Sequence, residues 1–170
     1  MRFITPEQTD LVKKIAAMLT AANEKLAVAE SSSGGLVSAC LLSVPGASSF
    51  FIGGAVLYSY SIREQIVAMG AREHQRYGGS TPELILDIAL KFQDKTKADW
   101  VIGEGGAAGP TKSRYGHNAG YTALAVAGPL CRTKIIETGK SDRIENMSEF
   151  TTALLIFFVS VLEERKKSKE

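Results

Sequence analysis

Strand-like and helix-like segments alternate along nearly the whole chain, and this alternation restricts the possible folds more than any other feature. Short apolar runs typical of buried strands occur at residues 25–29, 53–60 and 98–106. Segments with apolar residues at helical spacing separate these runs. The pattern predicts an α/β fold: a three-layer α/β/α sandwich with a mostly parallel or mixed central sheet, covered by helices on both faces.

Two helix starts carry strong local signals. Thr5 is a capping residue, Pro6 suits a first helical turn, and Gln8 completes a capping box. The segment STPE at 80–83 is a second start, followed by apolar residues on one helical face. Further elements are predicted from periodicity: helices at 36–42, 62–69 and 142–164, and an adjacent strand pair at 120–128 and 133–138.

Composition narrows the class of protein. The 170 residues are 45% hydrophobic, and no linker or repeat divides them, so a single domain over residues 1–170 is predicted. The formal net charge is +2 without a basic stripe, so no nucleic-acid partner is expected. Because no signal peptide is evident and the apolar run near the C-terminus is too short for a bilayer, we expect a cytoplasmic protein without a membrane partner.

The segment AESSSGGLVSAC at 29–40 places a polar turn between a buried strand and a helix. Backbone N–H groups at such a turn lack partners, and the helix dipole adds positive charge, so phosphates and carboxylates bind there readily. Hydroxyls and glycines accompany them at Ser31, Ser32, Ser33, Gly34 and Gly35. The alternative is that the serines only cap the helix. Glu30, a carboxylate that ends a buried strand, needs a partner or a function.

A second glycine-rich turn is predicted at 103–110, where GEGGAAGP follows a strand and carries another acid, Glu104. Ligands of open α/β sheets bind beyond the carboxyl ends of the strands. We therefore expect both turns, and the polar strand end at Tyr58, to meet in one crevice.

Three motifs in this order, AESSSGG, VPGASSFFIGGAVLYSYSIREQIVAMG and GGAAGP, resemble the C-terminal domain of the CinA family. The usual family forms are AESCTGG, VPGSS…RGFVTYSNEAK..LLGV and ITGIAGP. The resemblance runs from about residue 27 to 110 and more loosely beyond. It implies a PncC-like nicotinamide-nucleotide amidase, which converts nicotinamide mononucleotide to nicotinic acid mononucleotide and ammonia. It also implies an α/β/α sandwich, frequent homo-oligomers, and no metal or organic cofactor.

The resemblance assigns three catalytic positions. The family's nucleophilic serine falls on Ser31, its strand-end tyrosine on Tyr58, and its lysine on Arg63. Because a guanidinium stays protonated, Arg63 cannot be a general base, although it can orient a phosphate or stabilise negative charge. The remaining candidate bases are Tyr58, Glu30 and Glu104.

The expected substrate-binding residues cluster at the two turns and at the start of the last helix. The turn amides would stabilise an oxyanion. The segment 105–109 and Arg143 would hold the phosphate of the nucleotide. The full set is Glu30, Ser32, Ser33, Gly34, Gly35, Glu104, Gly105, Gly106, Ala108, Gly109 and Arg143.

Two hypotheses remain open on the sequence alone. The first is an amidohydrolase acting on nicotinamide mononucleotide or a related amide, with Ser31 as nucleophile. The second is a catalytically impaired member of the family that acts as a nucleotide-binding or protein-interaction module. The second hypothesis accounts for Arg63 in place of lysine and for Gly105 in place of the family's threonine. It also accounts for the altered loop TKSRYGHNAG after Pro110.

Overall fold

A computed structural model describes residues 3–168. Over these residues the chain forms six α-helices, five strands and one short 3-10 helix, Ala47–Ser49. The elements in chain order are α1 (Pro6–Ala22), β1 (Leu26–Glu30), α2 (Leu36–Leu42), β2 (Phe51–Val56), α3 (Tyr60–Val67), α4 (Ala71–Tyr77), α5 (Pro82–Thr96), β3 (Trp100–Ala107), β4 (Tyr121–Ala127), β5 (Arg132–Glu137) and α6 (Arg143–Lys167).

The five strands form one mixed sheet in the order β2-β1-β3-β4-β5. Strands β2, β1 and β3 run parallel, whereas β4 pairs antiparallel with both β3 and β5. Because β1 lies between β2 and β3, the carboxyl ends of three parallel strands meet at one edge, where pockets form in α/β sheets.

The two faces of the sheet differ in the size of their side chains. Helices α1, α2 and α6 cover a face of mainly large residues: Leu26, Val28, Trp100, Ile102, Leu124 and Val126. Helix α5, with α3 beside it, covers a face rich in alanine: Ala27, Ala29, Ala123, Ala125 and Ala127. Small side chains let α5 approach β3 and β4 closely. The predicted three-layer α/β/α sandwich with a mixed sheet is confirmed.

The predicted helix starts are confirmed. The Thr5 side chain accepts from the Gln8 amide, and the Gln8 side chain accepts from the Thr5 amide, which completes the capping box. At the second start, the Thr81 hydroxyl accepts from the Leu84 amide. The predicted strand at 53–60 is too long at its end, because the Ser59 hydroxyl accepts from the Ile62 amide and starts α3.

Two features of the middle of the chain differ from the predictions. Helix α4, between Gly70 and Gly78, is not evident from apolar periodicity because the segment is short and mostly polar. The turn predicted at 103–110 is wrong in its first half, whereas the strand predicted at 98–106 is confirmed there, since Gly105 and Gly106 continue β3 and pair with β4. A side chain at Gly106 would collide with the Tyr121 main chain, so glycine permits the pairing rather than ending the strand.

Helix α6 is, within the described residues, long and apolar enough by composition to cross a membrane. However, Phe150, Leu154 and Phe158 on this helix lie fully buried in the core of the domain. A core helix passes the same test of length and composition, so α6 gives only weak support for a membrane span. The cytoplasmic location remains a prediction.

Candidate functional site

The turn between β1 and α2 is held by the carboxylate of Glu104, which comes from β3 and is buried. This carboxylate accepts hydrogen bonds from the amides of Ser31 at 2.8 Å and Ser33 at 2.7 Å. It also accepts from the hydroxyls of Ser32 at 2.7 Å, Ser33 at 2.9 Å and Thr122 at 3.2 Å. The chain thereby satisfies the buried charge internally.

A second buried carboxylate, Glu30, caps the start of α2. It accepts from the amides of Gly35 at 2.9 Å, Val37 at 3.2 Å and Ser38 at 3.1 Å. The Ser38 hydroxyl also donates to it, and the Ser33 hydroxyl, with its single proton, lies between this carboxylate at 2.7 Å and that of Glu104 at 2.9 Å. The Glu30 carboxylate therefore occupies the position at this helix start where an anionic ligand would bind. This corrects the expectation that these amides are available to a phosphate or to an oxyanion.

Two hydrogen-bond donors of the turn have no acceptor among residues 3–168. One is the hydroxyl of Ser31, which is partly buried, and the other is the amide of Ser32. The neighbouring Gly34 amide, by contrast, donates to the Ser31 carbonyl at 3.2 Å. The carboxylates thus fix the backbone around Ser31 and leave one hydroxyl and one adjacent N–H uncommitted.

Ser31 lines a narrow recess together with Ser80 of the α4–α5 connection and Leu57, which follows β2. Glu30, Arg63, Glu104 and Gly105 line the same recess. Its volume is about 10 Å³, which is room for roughly one water molecule. A carboxamide that reaches the Ser31 hydroxyl requires this recess to widen.

A larger pocket of about 200 Å³ borders the turn at Ser32 and lies beyond the ends of the parallel strands. The lining is polar and includes the cations of Lys112 and Arg143, neither of which has a carboxylate partner within the described chain. The pocket is lined by Ser32, Tyr58, Gly106, Ala107, Ala108, Gly109, Thr111, Lys112, Ser113 and Arg143. Its charge favours an anionic ligand.

Arg143, the first residue of α6, joins two walls of this pocket. Its Nη1 donates to the Gly109 carbonyl at 2.7 Å, and its Nη2 donates to the Tyr58 hydroxyl at 3.4 Å. Tyr58 is 61% exposed, so most of its surface is accessible to a ligand. We refer to this space as the Tyr58–Arg143 pocket.

Arg63 does not line the Tyr58–Arg143 pocket and is 8% exposed. Its Nε donates to the Leu57 carbonyl at 2.9 Å and its Nη2 to the Tyr58 carbonyl at 3.1 Å. Its Nη1 donates to His74 Nδ1 at 2.6 Å. Burial lowers the pKa of the Arg63 guanidinium from its usual value. With its donors directed at protein atoms, Arg63 holds the backbone that follows β2 and is not placed to orient a phosphate.

Gly105 stands beside Ile85 of α5. A Cβ at position 105 would lie 2.7 Å from Ile85 Cδ1, which is closer than real Cβ contacts. The space that a threonine side chain would need is therefore filled by the isoleucine. Because Cδ1 is the end of a flexible side chain, Ile85 would have to move this methyl group to admit a side chain at position 105.

The structure separates the predicted site residues into three groups. The Tyr58–Arg143 pocket brings together Ser32, Tyr58, Gly106, Ala108, Gly109 and Arg143. The recess brings together Glu30, Ser31, Arg63, Glu104 and Gly105, whereas Ser33, Gly34 and Gly35 line neither space. Thr111, Lys112 and Ser113 also line the pocket and lie outside the predicted site, although a lysine two residues after the GP pair is a usable signal. No cluster of three metal-ligating side chains occurs in residues 3–168.

The mixed sheet and the two helix layers define a three-layer α/β/α domain with a polar pocket beyond the strand ends. Residues 8–162 match the family model described as the CinA C-terminal domain. The chain therefore belongs to the CinA C-terminal domain family.

Curated relatives are longer than this chain. A CinA-like protein of Parasynechococcus marenigrum is 33% identical over 119 residues, covering 70% of this chain and 28% of the relative. A CinA-like protein of Prochlorococcus marinus subsp. pastoris is 29% identical over 148 residues, covering 85% of this chain and 34% of the relative. The chain thus spans about a third or less of the length of these relatives.

Solved structures share the fold of this chain over nearly their whole length. A CinA superfamily protein from Enterobacter cloacae has a TM-score of 0.85 and 27% identity, with 94% of this chain and 93% of that chain covered. The competence/damage inducible protein from Agrobacterium tumefaciens has a TM-score of 0.88 and 20% identity, with 96% and 99% covered. The second likeness concerns the fold alone.

Proposed function

We propose that the chain binds nicotinamide mononucleotide in the Tyr58–Arg143 pocket and hydrolyses its carboxamide with Ser31 as the nucleophile. The observation that carries this proposal is the uncommitted Ser31 hydroxyl on a rigid turn beside a cationic pocket. The products are nicotinic acid mononucleotide and ammonia. The motif resemblance supports this substrate.

The phosphate of the nucleotide lies between Lys112 and Arg143 in this proposal. Lys112 is exposed and unpaired within residues 3–168, so it binds a phosphate without first breaking an ion pair. Arg143 keeps donors beyond those it uses on Gly109 and Tyr58. The exposed Tyr58 ring offers an apolar face to the pyridine ring.

Hydrolysis proceeds through an acyl-enzyme. The Ser31 oxygen bonds to the carboxamide carbon, the hydroxyl proton passes to the leaving nitrogen, and ammonia departs. The Ser32 amide donates to the developing oxyanion, since the N–H of the residue after a nucleophile is the usual donor on a strand-turn-helix. Water then cleaves the ester, restores the Ser31 hydroxyl and releases the carboxylic acid.

Binding without hydrolysis is the second candidate function. The observation that favours it is that no basic side chain among the described residues lies within hydrogen-bond distance of the Ser31 hydroxyl. Arg63 stands where the family has lysine and donates to protein carbonyls. A serine without a base is a poor nucleophile, so such a chain would retain the nucleotide rather than turn it over.

Ammonia release from nicotinamide mononucleotide, measured beside calorimetric binding, separates the two functions. For the amidase we expect release by the wild-type chain and none by Ser31→Ala, which still binds the nucleotide. Binding by both chains without release by either would leave only the second function. Absence of both binding and release would overturn both. Assembly into homo-oligomers, which the resemblance implies, stays a prediction.

A further inference from the structure

The side chains of Tyr60, Arg63, His74 and Tyr115 form a compact group, of which Arg63 also lines the recess; we call it the His74 cluster. The His74 ring is 4% exposed and lies 5.1 Å from the Tyr60 ring and 5.0 Å from the Tyr115 ring. The Tyr60 and Tyr115 hydroxyls are 3.0 Å apart, within hydrogen-bond distance. Arg63 completes the cluster by donating to His74 Nδ1 at 2.6 Å.

The His74 cluster connects two walls of the Tyr58–Arg143 pocket. On one side, Arg63 holds the Tyr58 carbonyl, so the cluster fixes the backbone of that wall. On the other side, Tyr115 belongs to the loop that supplies Lys112 to the opposite wall. The Ser113 hydroxyl, next to Lys112, accepts from the Tyr115 amide at 3.3 Å. Contacts that hold the Tyr115 side chain in the cluster therefore also restrain Ser113 and Lys112, which line the pocket.

The His74 ring is suited to accept from a guanidinium. Burial, followed by the neighbouring charges of Arg63, Arg114 and His117, lowers the pKa of His74 to about 4. The ring is therefore neutral near neutral pH, and Nδ1 carries a lone pair for Arg63 Nη1.

We propose that His74 is a positioning residue of the ligand pocket, which sets the separation between the Tyr58 wall and the Lys112 wall. It touches neither the pocket nor the recess and acts through Arg63 and Tyr115. The identity of the ligand in this inference rests on the proposed function, but the connection between the walls does not.

Calorimetric binding of nicotinamide mononucleotide tests whether the hydrogen bond accepted by His74 Nδ1 affects the affinity of the pocket. His74→Leu removes the acceptor, and we expect its Kd to rise about tenfold or more. His74→Asn keeps an oxygen acceptor near the position of Nδ1, and we expect its Kd to stay within about threefold of wild type. Rescue by asparagine is an effect that a merely space-filling role of His74 would not produce.

Tryptic cleavage after Lys112 and Arg114 gives a second readout that needs no ligand. Cleavage of a native protein follows the population of locally opened chains. We expect His74→Leu to raise the cleavage rate in this loop about tenfold, and Tyr115→Phe, which removes one hydroxyl, to raise it about threefold. Fluorescence of Trp100, the only tryptophan and fully buried, reports whether each variant is folded.

Tyr77→Phe is the matched control, since Tyr77 lies on α4 like His74 but donates to Asp87 rather than to the cluster. We expect it to change neither readout. Unchanged loop cleavage in folded His74→Leu, or in Tyr115→Phe should His74→Leu not fold, would overturn the proposal. Equal effects of Tyr77→Phe would also overturn it. If wild type binds no nicotinamide mononucleotide, the proposed function fails while the cleavage comparison still decides the role of His74.

Discussion

At the residue scale, the turn at Ser31 is organised by carboxylates of the chain itself. Glu30 and Glu104 between them receive hydrogen bonds from five backbone amides of the turn and the start of α2. Such a network is costly to break, because removing one partner leaves buried polar groups unsatisfied. We therefore expect the turn to keep this conformation when a ligand binds.

Glu104→Gln tests the strength of this network. The amide nitrogen of glutamine would face hydrogen-bond donors, so we expect the free energy of unfolding to fall by about 2–4 kcal/mol. Urea unfolding followed by Trp100 fluorescence measures the change. Glu7→Gln, an exposed carboxylate in the first turn of α1, is the control, with an expected change below about 0.5 kcal/mol. Equal stability of Glu104→Gln and wild type would contradict the account.

The two free cysteines should differ in reactivity. Cys40 is buried, and burial, with a smaller contribution from Glu30, raises the pKa of its thiol to about 11. Cys131 is exposed. In the folded protein at mild alkaline pH, a thiol reagent should label Cys131 alone, and both thiols after unfolding. Labelling that persists at the same rate in folded Cys131→Ser would show that Cys40 is accessible after all.

At the element scale, the close approach of α5 to β3 determines what position 105 can hold. Gly105→Thr forces the new side chain against Ile85, and we expect a loss of about 1–3 kcal/mol in unfolding free energy. Ile85→Val removes Cδ1, so the double variant should be more stable than the sum of the two single changes. Denaturant unfolding of all four chains measures this coupling. Additive effects would mean that Ile85 does not limit position 105.

Local sequence signals predict most helices and strands of this fold, whereas contacts between distant residues determine the geometry of the site. The cap at Thr5 is visible because its partner lies three residues away. The strand predicted at 98–106 includes Gly105 and Gly106, but its pairing with β4, which excludes a turn at these residues, follows from no local pattern. Likewise, Arg63 reaches His74 on another helix, so its role as a clamp on the backbone follows only from the structure.

At the scale of the whole molecule, His74 makes folding sensitive to acid. Its pKa is about 4 in the folded chain, below the usual 6.5 of a histidine, so between these two values the unfolded chain binds a proton that the folded chain does not. The contribution of His74 to stability is complete above pH 6.5 and is lost as the pH falls towards 4. The shift corresponds to about 3 kcal/mol.

A pair of unfolding series isolates this effect from that of the carboxylates. As the pH is lowered from 7 to about 4.5, the unfolding free energy of wild type should fall more than that of His74→Leu. The stability advantage of wild type over the variant should therefore shrink. The variant lacks the titrating ring, so only wild type carries this part of the acid dependence. A difference that stays constant or widens over this interval would contradict the buried, neutral state of His74.

The separation of a carboxylate-held turn from loop-built walls has a consequence for how such a domain diversifies. Changes in the segment that bears Lys112 and Tyr115 can alter which small molecules are admitted while the strand-to-helix bend keeps its geometry. Under the proposed function, a member of the family could change its ligand or lose turnover while the hydrogen bonds of Glu30 and Glu104 around Ser31 stay intact.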